Sequence, residues 1–169
     1  MTRLPLILAV LFFVAIVSFG CEKKEAPKGG LKTLLGDKLV DRSKSTVQVS
    51  SLSDKKVGIY FSAHWCPPCR AFTPHLVSVY NELKKQGKKF EIVFVSSDKD
   101  EKHMMSYMAE MKMPWLAIPF GDARVKKLKS RFGIRGIPSL VILSPDGATL
   151  TKDGRNQVAQ KGAAAYSGW

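Results

Sequence analysis

The sequence predicts an α/β fold: a central mixed β-sheet flanked by helices on both faces, with an N-terminal β-hairpin extension. Two apolar, β-branched runs, Gly58–Ser62 and Phe90–Ser96, read as strands buried on both faces, and each is followed by a segment of helical periodicity. A turn signal, Ser144-Pro145-Asp146-Gly147 between two β-prone stretches, adds a final antiparallel pair. At 169 residues, 45% hydrophobic and 24% charged, one core is expected, large enough to need no disulfide staples.

Residues 1–21 differ from everything after them. Arg3 supplies a positive start, and Leu4–Gly20 is apolar apart from Ser18, longer than a usual signal core and slightly short for a spanning helix. Cys21 follows directly, then the polar run EKKEAPKGG. This arrangement resembles a bacterial lipoprotein signal, in which the cysteine becomes the lipid-bearing N-terminus. It departs from that pattern at Ser18, where an aliphatic residue is usual, and at the bulky Phe19. Three outcomes are open: lipidation at Cys21, an uncleaved anchor, or ordinary secretion. All three place the folded domain outside the cytoplasm. The chain therefore divides into a signal peptide or membrane anchor (1–20), a flexible tether (21–30), a folded domain (31–158) and a C-terminal tail (159–169).

Within the domain, Lys38–Asp41 and Thr46–Val49 alternate around the polar turn Arg42–Ser45 and predict the hairpin. Ser53–Lys56 is a turn before the central strand. After Cys69, the residues Leu76, Val79, Tyr80 and Leu83 recur at i, i+3, i+4, i+7 and predict a helix ending near Gly87, with Pro74 inside it as a kink. Asp98 followed by Glu101 predicts a helix start, continuing to about Met111. Its row of methionines, Met104, Met105, Met108 and Met111, reads as a core face with some exposed plasticity rather than a soft-metal site. Asp122 opens another helix with Val125, Leu128 and Phe132 as its stripe and Gly133 as its C-cap. Ser139–Leu143 and Ala148–Lys152 form the last hairpin. From Gly154 onwards the sequence leaves two outcomes open, a terminus that frays or a Trp169 that covers a surface groove.

The formal charge of +13 raises the question of nucleic acid or anionic membrane. The lysines are scattered in short groups such as Lys55-Lys56, Lys84-Lys85 and Lys88-Lys89, which reads as a solvated face with no nucleic-acid partner. The cysteines are more informative. Cys66 and Cys69 stand where a strand gives way to a helix, so unpaired N–H groups and the positive end of the helix dipole favour a thiolate at Cys66. Cys69 follows one helical turn on. Pro67 and Pro68 fix φ near the helical value and remove N–H donors the first turn leaves unpaired anyway, which stiffens the turn.

WCPPC after YFSAH, with Ile137-Pro138 far downstream, resembles a thioredoxin-fold dithiol oxidoreductase, and within that superfamily most resembles the tryparedoxin and nucleoredoxin branch. KKFEIVFVSSD, the MPWLAIPF block (Met113–Phe120) and FGIRGIPSLVIL (Phe132–Leu143) carry the likeness further, from about Gly36 to Val158. The resemblance implies a thioredoxin-like fold and a catalytic couple with no bound cofactor and no metal. An exposed, ionised Cys66 attacks a partner disulfide, Cys69 resolves the mixed disulfide, and the Cys66–Cys69 disulfide is left behind. It also implies a cis Ile137-Pro138 bond that sets the Ile137 backbone opposite Cys66, and Trp65 beside Pro67 and Pro68 on the substrate surface. His64 and Tyr60 are candidate modulators, Tyr60 because it stands where thioredoxins bury an acid beneath the cysteines. Arg155 aligns with an arginine that holds the acidic part of a glutathione-derived partner in tryparedoxins. The tryptophan of that family after the central strand is replaced by Ser96-Ser97, which argues against carrying over that small molecule.

The expected function is therefore that of a membrane-tethered, extracytoplasmic, monomeric reductase of partner protein disulfides, recharged by an unidentified thiol donor. Rival readings are an oxidase or isomerase of the same fold, a copper-handling module using Cys66, Cys69 and one of His64, His75 or His103, and a non-catalytic interaction domain.

Overall fold

A computed structural model describes residues 30–169. The expected signal, Cys21 and the tether up to residue 29 lie outside the described residues. Among the described residues no helix is long and apolar enough to cross a membrane.

The elements run α1 (Gly30–Leu35), β1 (Lys38–Val40), β2 (Thr46–Gln48), β3 (Lys56–Ser62), α2 (Pro67–Lys85), β4 (Phe90–Ser96), α3 (Glu101–Glu110), β5 (Leu116–Ala117), α4 (Arg124–Phe132), β6 (Ser139–Leu143), β7 (Thr149–Thr151) and α5 (Gly154–Lys161), with 3₁₀ turns at Val49–Leu52 and Gly162–Gly168. One mixed sheet holds the strands in the order β2-β1-β5-β4-β3-β6-β7. The two apolar runs are its centre: β3 pairs parallel with β4 and antiparallel with β6. The hairpin expected as an extension is the sheet's edge, joined through Val40 opposite Ala117.

Period-2 alternation divides the core. Val57, Ile59 and Phe61 pack with Val93, Val95, Leu128 and Phe132 on the face covered by α1 and α4. Tyr60 packs with Ile92, Phe94, Leu76 and Tyr107 on the face covered by α2, α3 and α5. The stripe Leu76, Val79, Tyr80 and Leu83 is buried as its spacing predicts, and α2 continues through Pro74. Of the methionine row, Met104 and Met108 are core and Met105 and Met111 pack at its margin.

Two elements and two helix starts differ from expectation. α1 and the turn Val49–Leu52 stand where only alternating stretches were legible; Leu31, Leu34 and Leu35 close the α4 face too briefly for periodicity to declare them. The N-cap of α3 is Asp100, whose carboxylate accepts the His103 N–H at 2.8 Å, because Asp98 is engaged elsewhere. Asp122 lies one residue before the N-cap of α4, Ala123, and its carboxylate accepts the Arg124 N–H.

The chain beyond residue 153 is folded against the sheet. Gly154 passes so close to β6 that a Cβ there would lie 2.8 Å from the Leu140 carbonyl oxygen. α5 runs through Val158 to Lys161, and the Trp169 ring packs at a tilt on Phe90 with centroids 5.2 Å apart while its indole N–H donates to Gln157.

Candidate active site

β3 ends at Ser62 and delivers the turn. Cys66 is the N-cap of α2, in an extended conformation, and its Sγ accepts the Cys69 N–H at 3.3 Å, with Pro67 and Pro68 in the first two helical positions. Cys66 and Cys69 are joined by a disulfide, Cα atoms 5.2 Å apart. The Ile137-Pro138 bond is cis, and the Cys66 sulfur lies 3.8 Å from the Ile137 carbonyl oxygen. The cysteine pair and the Ile137 backbone thus face each other at the head of α2.

One expectation is corrected: Cys66 is not exposed. It retains only 4% of its surface in this oxidised state, where the sulfur is tucked between the first turn of α2 and the Ile137 carbonyl. A disulfide sulfur also has no proton to lose, so the ionised form exists only after reduction.

Beneath the pair lies a cluster of hydroxyls. Thr73, one turn after Cys69, donates to the Cys69 carbonyl oxygen at 2.8 Å. That fixes the rest, because a carbonyl only accepts and a hydroxyl has one proton. Tyr60 and Tyr107 must both donate to Thr73 Oγ1, at 2.8 and 2.6 Å, and Ser62 must donate to the Tyr107 oxygen at 3.0 Å. Burial, reinforced by Tyr107, pushes the Tyr60 phenol far above its ordinary value. Tyr60 is therefore a neutral donor committed to Thr73, which makes it a support for the first turn of α2 and not a base for Cys69.

Around the turn, Trp65 is 59% exposed and its indole N–H donates to the Ser97 carbonyl at 3.0 Å, which stands the ring beside Cys66. Asp98 explains its absence from the α3 cap: it accepts the His64 N–H at 2.7 Å and the Ser96 hydroxyl at 2.7 Å, tying the end of β4 to the turn. His64 turns toward α3, where its ring stacks on Tyr107 and its Nε2 pairs with Glu110 at 3.0 Å. His64 first and then Arg70 hold the Glu110 carboxyl below its usual range. A cleft of about 420 Å³ opens here, lined by His64, Trp65, Arg70, Asp98, Lys99 and His103. A second, of about 550 Å³, adjoins it through Asp98 and reaches from Ser97 to Phe120 and α4.

Not every residue singled out by sequence reaches this place. Arg155 sits on α5 with its guanidinium 5.9 Å from the Phe72 ring centre. His75 donates to the Val158 carbonyl and His103 is held by Asp100. Among the described residues no group of three or more His, Cys, Asp and Glu side chains is placed to hold a metal ion. Conversely, Thr73, Tyr107, Asp98 and Glu110 were not anticipated. Only Thr73 left a trace in the sequence, a β-branched hydroxyl four residues after the second cysteine.

Residues 54–149 match the family model described as thioredoxin-like. Nucleoredoxin of Bos taurus is 45% identical over 140 residues, which cover 82% of this chain and 32% of that protein, so the chain spans about a third of such relatives. Tryparedoxin I of Leishmania major is 41% identical, superposes with a TM-score of 0.68 and is covered over 86% of its length by 75% of this chain. Tryparedoxin of Trypanosoma brucei is 38% identical with a TM-score of 0.74, covered over 95% by 81% of this chain. With its cysteine turn at the end of a central strand and a facing cis-proline, this chain belongs to the thioredoxin-like family of thiol–disulfide oxidoreductases, in the tryparedoxin and nucleoredoxin branch.

Proposed function

We propose that the protein reduces disulfides of partner proteins through Cys66 and Cys69, outside the cytoplasm and tethered to a membrane by its N-terminus. The observation that carries the chemistry is the position of Cys66 Sγ, which accepts the Cys69 N–H at the mouth of α2 and faces the Ile137 carbonyl. In the reduced protein that N–H and the helix dipole favour a thiolate at Cys66 over one at Cys69. The thiolate attacks a partner disulfide, forming a Cys66–partner bond and expelling the first partner thiolate. Cys69, losing its proton, attacks Cys66 Sγ and expels the second. Two electrons have then passed to the partner, and a thiol donor must return them by opening Cys66–Cys69. The Ile137 backbone and Trp65 lie where an extended partner segment would pair and pack.

The tether rests on the sequence of residues 1–30, where Arg3, the apolar Leu4–Gly20 and Cys21 precede a polar linker. Membrane fractionation with protease added to spheroplasts tests it, and a soluble, protected protein would sink it.

The chemical proposal is tested by expressing Cys69→Ser in cells and isolating its mixed disulfides. Partners linked through Cys66 are expected, none should form with Cys66→Ser, and turnover should fall below about a thousandth of wild type in both variants. The slight exposure of Cys66 sharpens the test. After reduction, native-state alkylation should modify Cys66 before Cys69, and the reverse order, or no captured partner, would overturn the mechanism.

A further inference from the structure

The cleft beyond Asp98 is a candidate for the feature that selects partners. It lies at the same end of the sheet as the cysteines and shares Asp98, which holds the His64 N–H, with the cleft beside Trp65, whose indole is held by the Ser97 carbonyl. Its floor is apolar, with Ile118 and Val125 below an exposed Phe120. At about 550 Å³ it falls within the usual range of ~300–1,000 Å³ for binding clefts.

Its cations are concentrated on one wall. Lys126 and Lys129 line it from α4, a helix that carries Arg124, Lys126, Lys127, Lys129 and Arg131 and no acidic residue. Of the two carboxylates that line the cleft, Asp122 is ion-paired with Arg124, while Asp98 is hydrogen-bonded by the His64 N–H and the Ser96 hydroxyl and keeps its charge, so the lysines leave the cleft net positive. Neither Lys126 nor Lys129 has an ion-pair partner among the described residues. The Ser97 hydroxyl, also in the lining, is buried without a hydrogen-bond partner among the described residues. An apolar floor and two uncommitted cations complement one kind of occupant.

We infer that this cleft receives the segment flanking the target cystine of a partner protein, and that it selects segments pairing an apolar side chain with acidic neighbours. The apolar side chain packs against Phe120 and Val125, and the acidic residues meet Lys126 and Lys129 while the cystine lies at Cys66. The inference rests on the proposed reductase activity and names the substrate class of that site. Its contribution is charge complementarity, which raises encounter and register and is screened by salt.

The test uses the full-length chain, pre-reduced, with two synthetic cystine peptides identical except that one has Asp and Glu flanks and the other Ser and Asn flanks around the same apolar residue. Wild type is expected to prefer the acidic peptide by about tenfold in the second-order rate constant of this single turnover at low ionic strength, and the preference should collapse at ~1 M salt. Lys126→Gln with Lys129→Gln should reduce the ratio, and Lys126→Glu with Lys129→Glu should abolish or invert it. Equal rates on the two peptides in wild type, or equal losses on both in the variants, overturn the acidic preference while leaving the reductase standing. Failure of wild type to reduce either peptide or a small aromatic disulfide sinks the reductase itself.

Discussion

At the end of the sheet where β3, β4 and β5 finish, side chains hold one another through hydroxyls and charges, whereas at the opposite end, where β3 and β4 begin, they hold through aromatic faces. The first end has the Tyr60–Thr73–Tyr107–Ser62 cluster beneath the cysteines, Asp98 across the turn, and Asp122–Arg124 tying α4 to the Leu35 and Lys38 carbonyls. The second has Trp169 on Phe90, Tyr166 edge-on to both, and Lys56 over the Tyr166 ring with its ammonium donating to the Trp169 carbonyl. Hydrogen bonds are directional and leave a costly orphan when one partner goes; aromatic packing has no donor to strand and no proton to lose. The difference teaches that the cysteine end rests on directional contacts, each costly to orphan, and the far end on packing remote from the cysteines, so the two can be broken separately.

Thr73→Val should give the larger stability loss. It removes the acceptor of two buried phenols and the donor to the Cys69 carbonyl at nearly constant volume, which costs about 3 kcal/mol. Urea unfolding should show a lower midpoint at an unchanged slope, and a loss under about 1 kcal/mol would mean the hydroxyls do not hold the turn. Tyr60→Phe gives an internal scale: it removes one donor and leaves no orphan, so it should cost only about 1 kcal/mol, with the pH profile of exchange unmoved. An altered profile would return Tyr60 to the proton chemistry.

Trp169→Ala attacks the other end. Losing the packing on Phe90 and the bond to Gln157 should cost about 2 kcal/mol, less than for a fully buried tryptophan because the ring is partly exposed. Exchange by the folded fraction should stay within about twofold of wild type, since the opposite end is untouched. A selective loss of exchange without loss of stability would break the separation of the two ends.

What the sequence made legible divides along the same line. Periodicity found α2 and the central strands, because Leu76, Val79, Tyr80 and Leu83 must all face one sheet. The cysteine turn and its facing proline were readable because their residue types do the work locally or within one short motif. The polar ties were not. His64 to Asp98 spans 34 residues and Thr73 to Tyr107 another 34, and no local propensity announces which hydroxyl meets which. Asp98 was misread for this reason, since a carboxylate before a helix looks like its cap until the turn 34 residues earlier claims it. The aromatic end was half legible: Trp169 stood out as a residue type, but its partner Phe90 lies 79 positions before it, where it reads only as strand.

The finest separation of the two ends is by proton. Asp122 is about three-quarters shielded, and Arg124, through its side chain and then its backbone N–H, holds the carboxyl below its ordinary 3.8. A depressed folded value means that the carboxylate stabilises the fold above pH 3.8, and that this contribution is lost as pH falls through the lowered value. Subtracting the stability–pH curve of Asp122→Asn from that of wild type cancels the other carboxylates, which the two proteins share. The difference should be flat above pH 3.8 and decline below it, by less than Trp169→Ala costs. The same subtraction for Trp169→Ala should be flat across that range, because no ionising group is removed with the indole. A slope there instead would tie the aromatic end to the titration of the cysteine end and join what the geometry keeps apart.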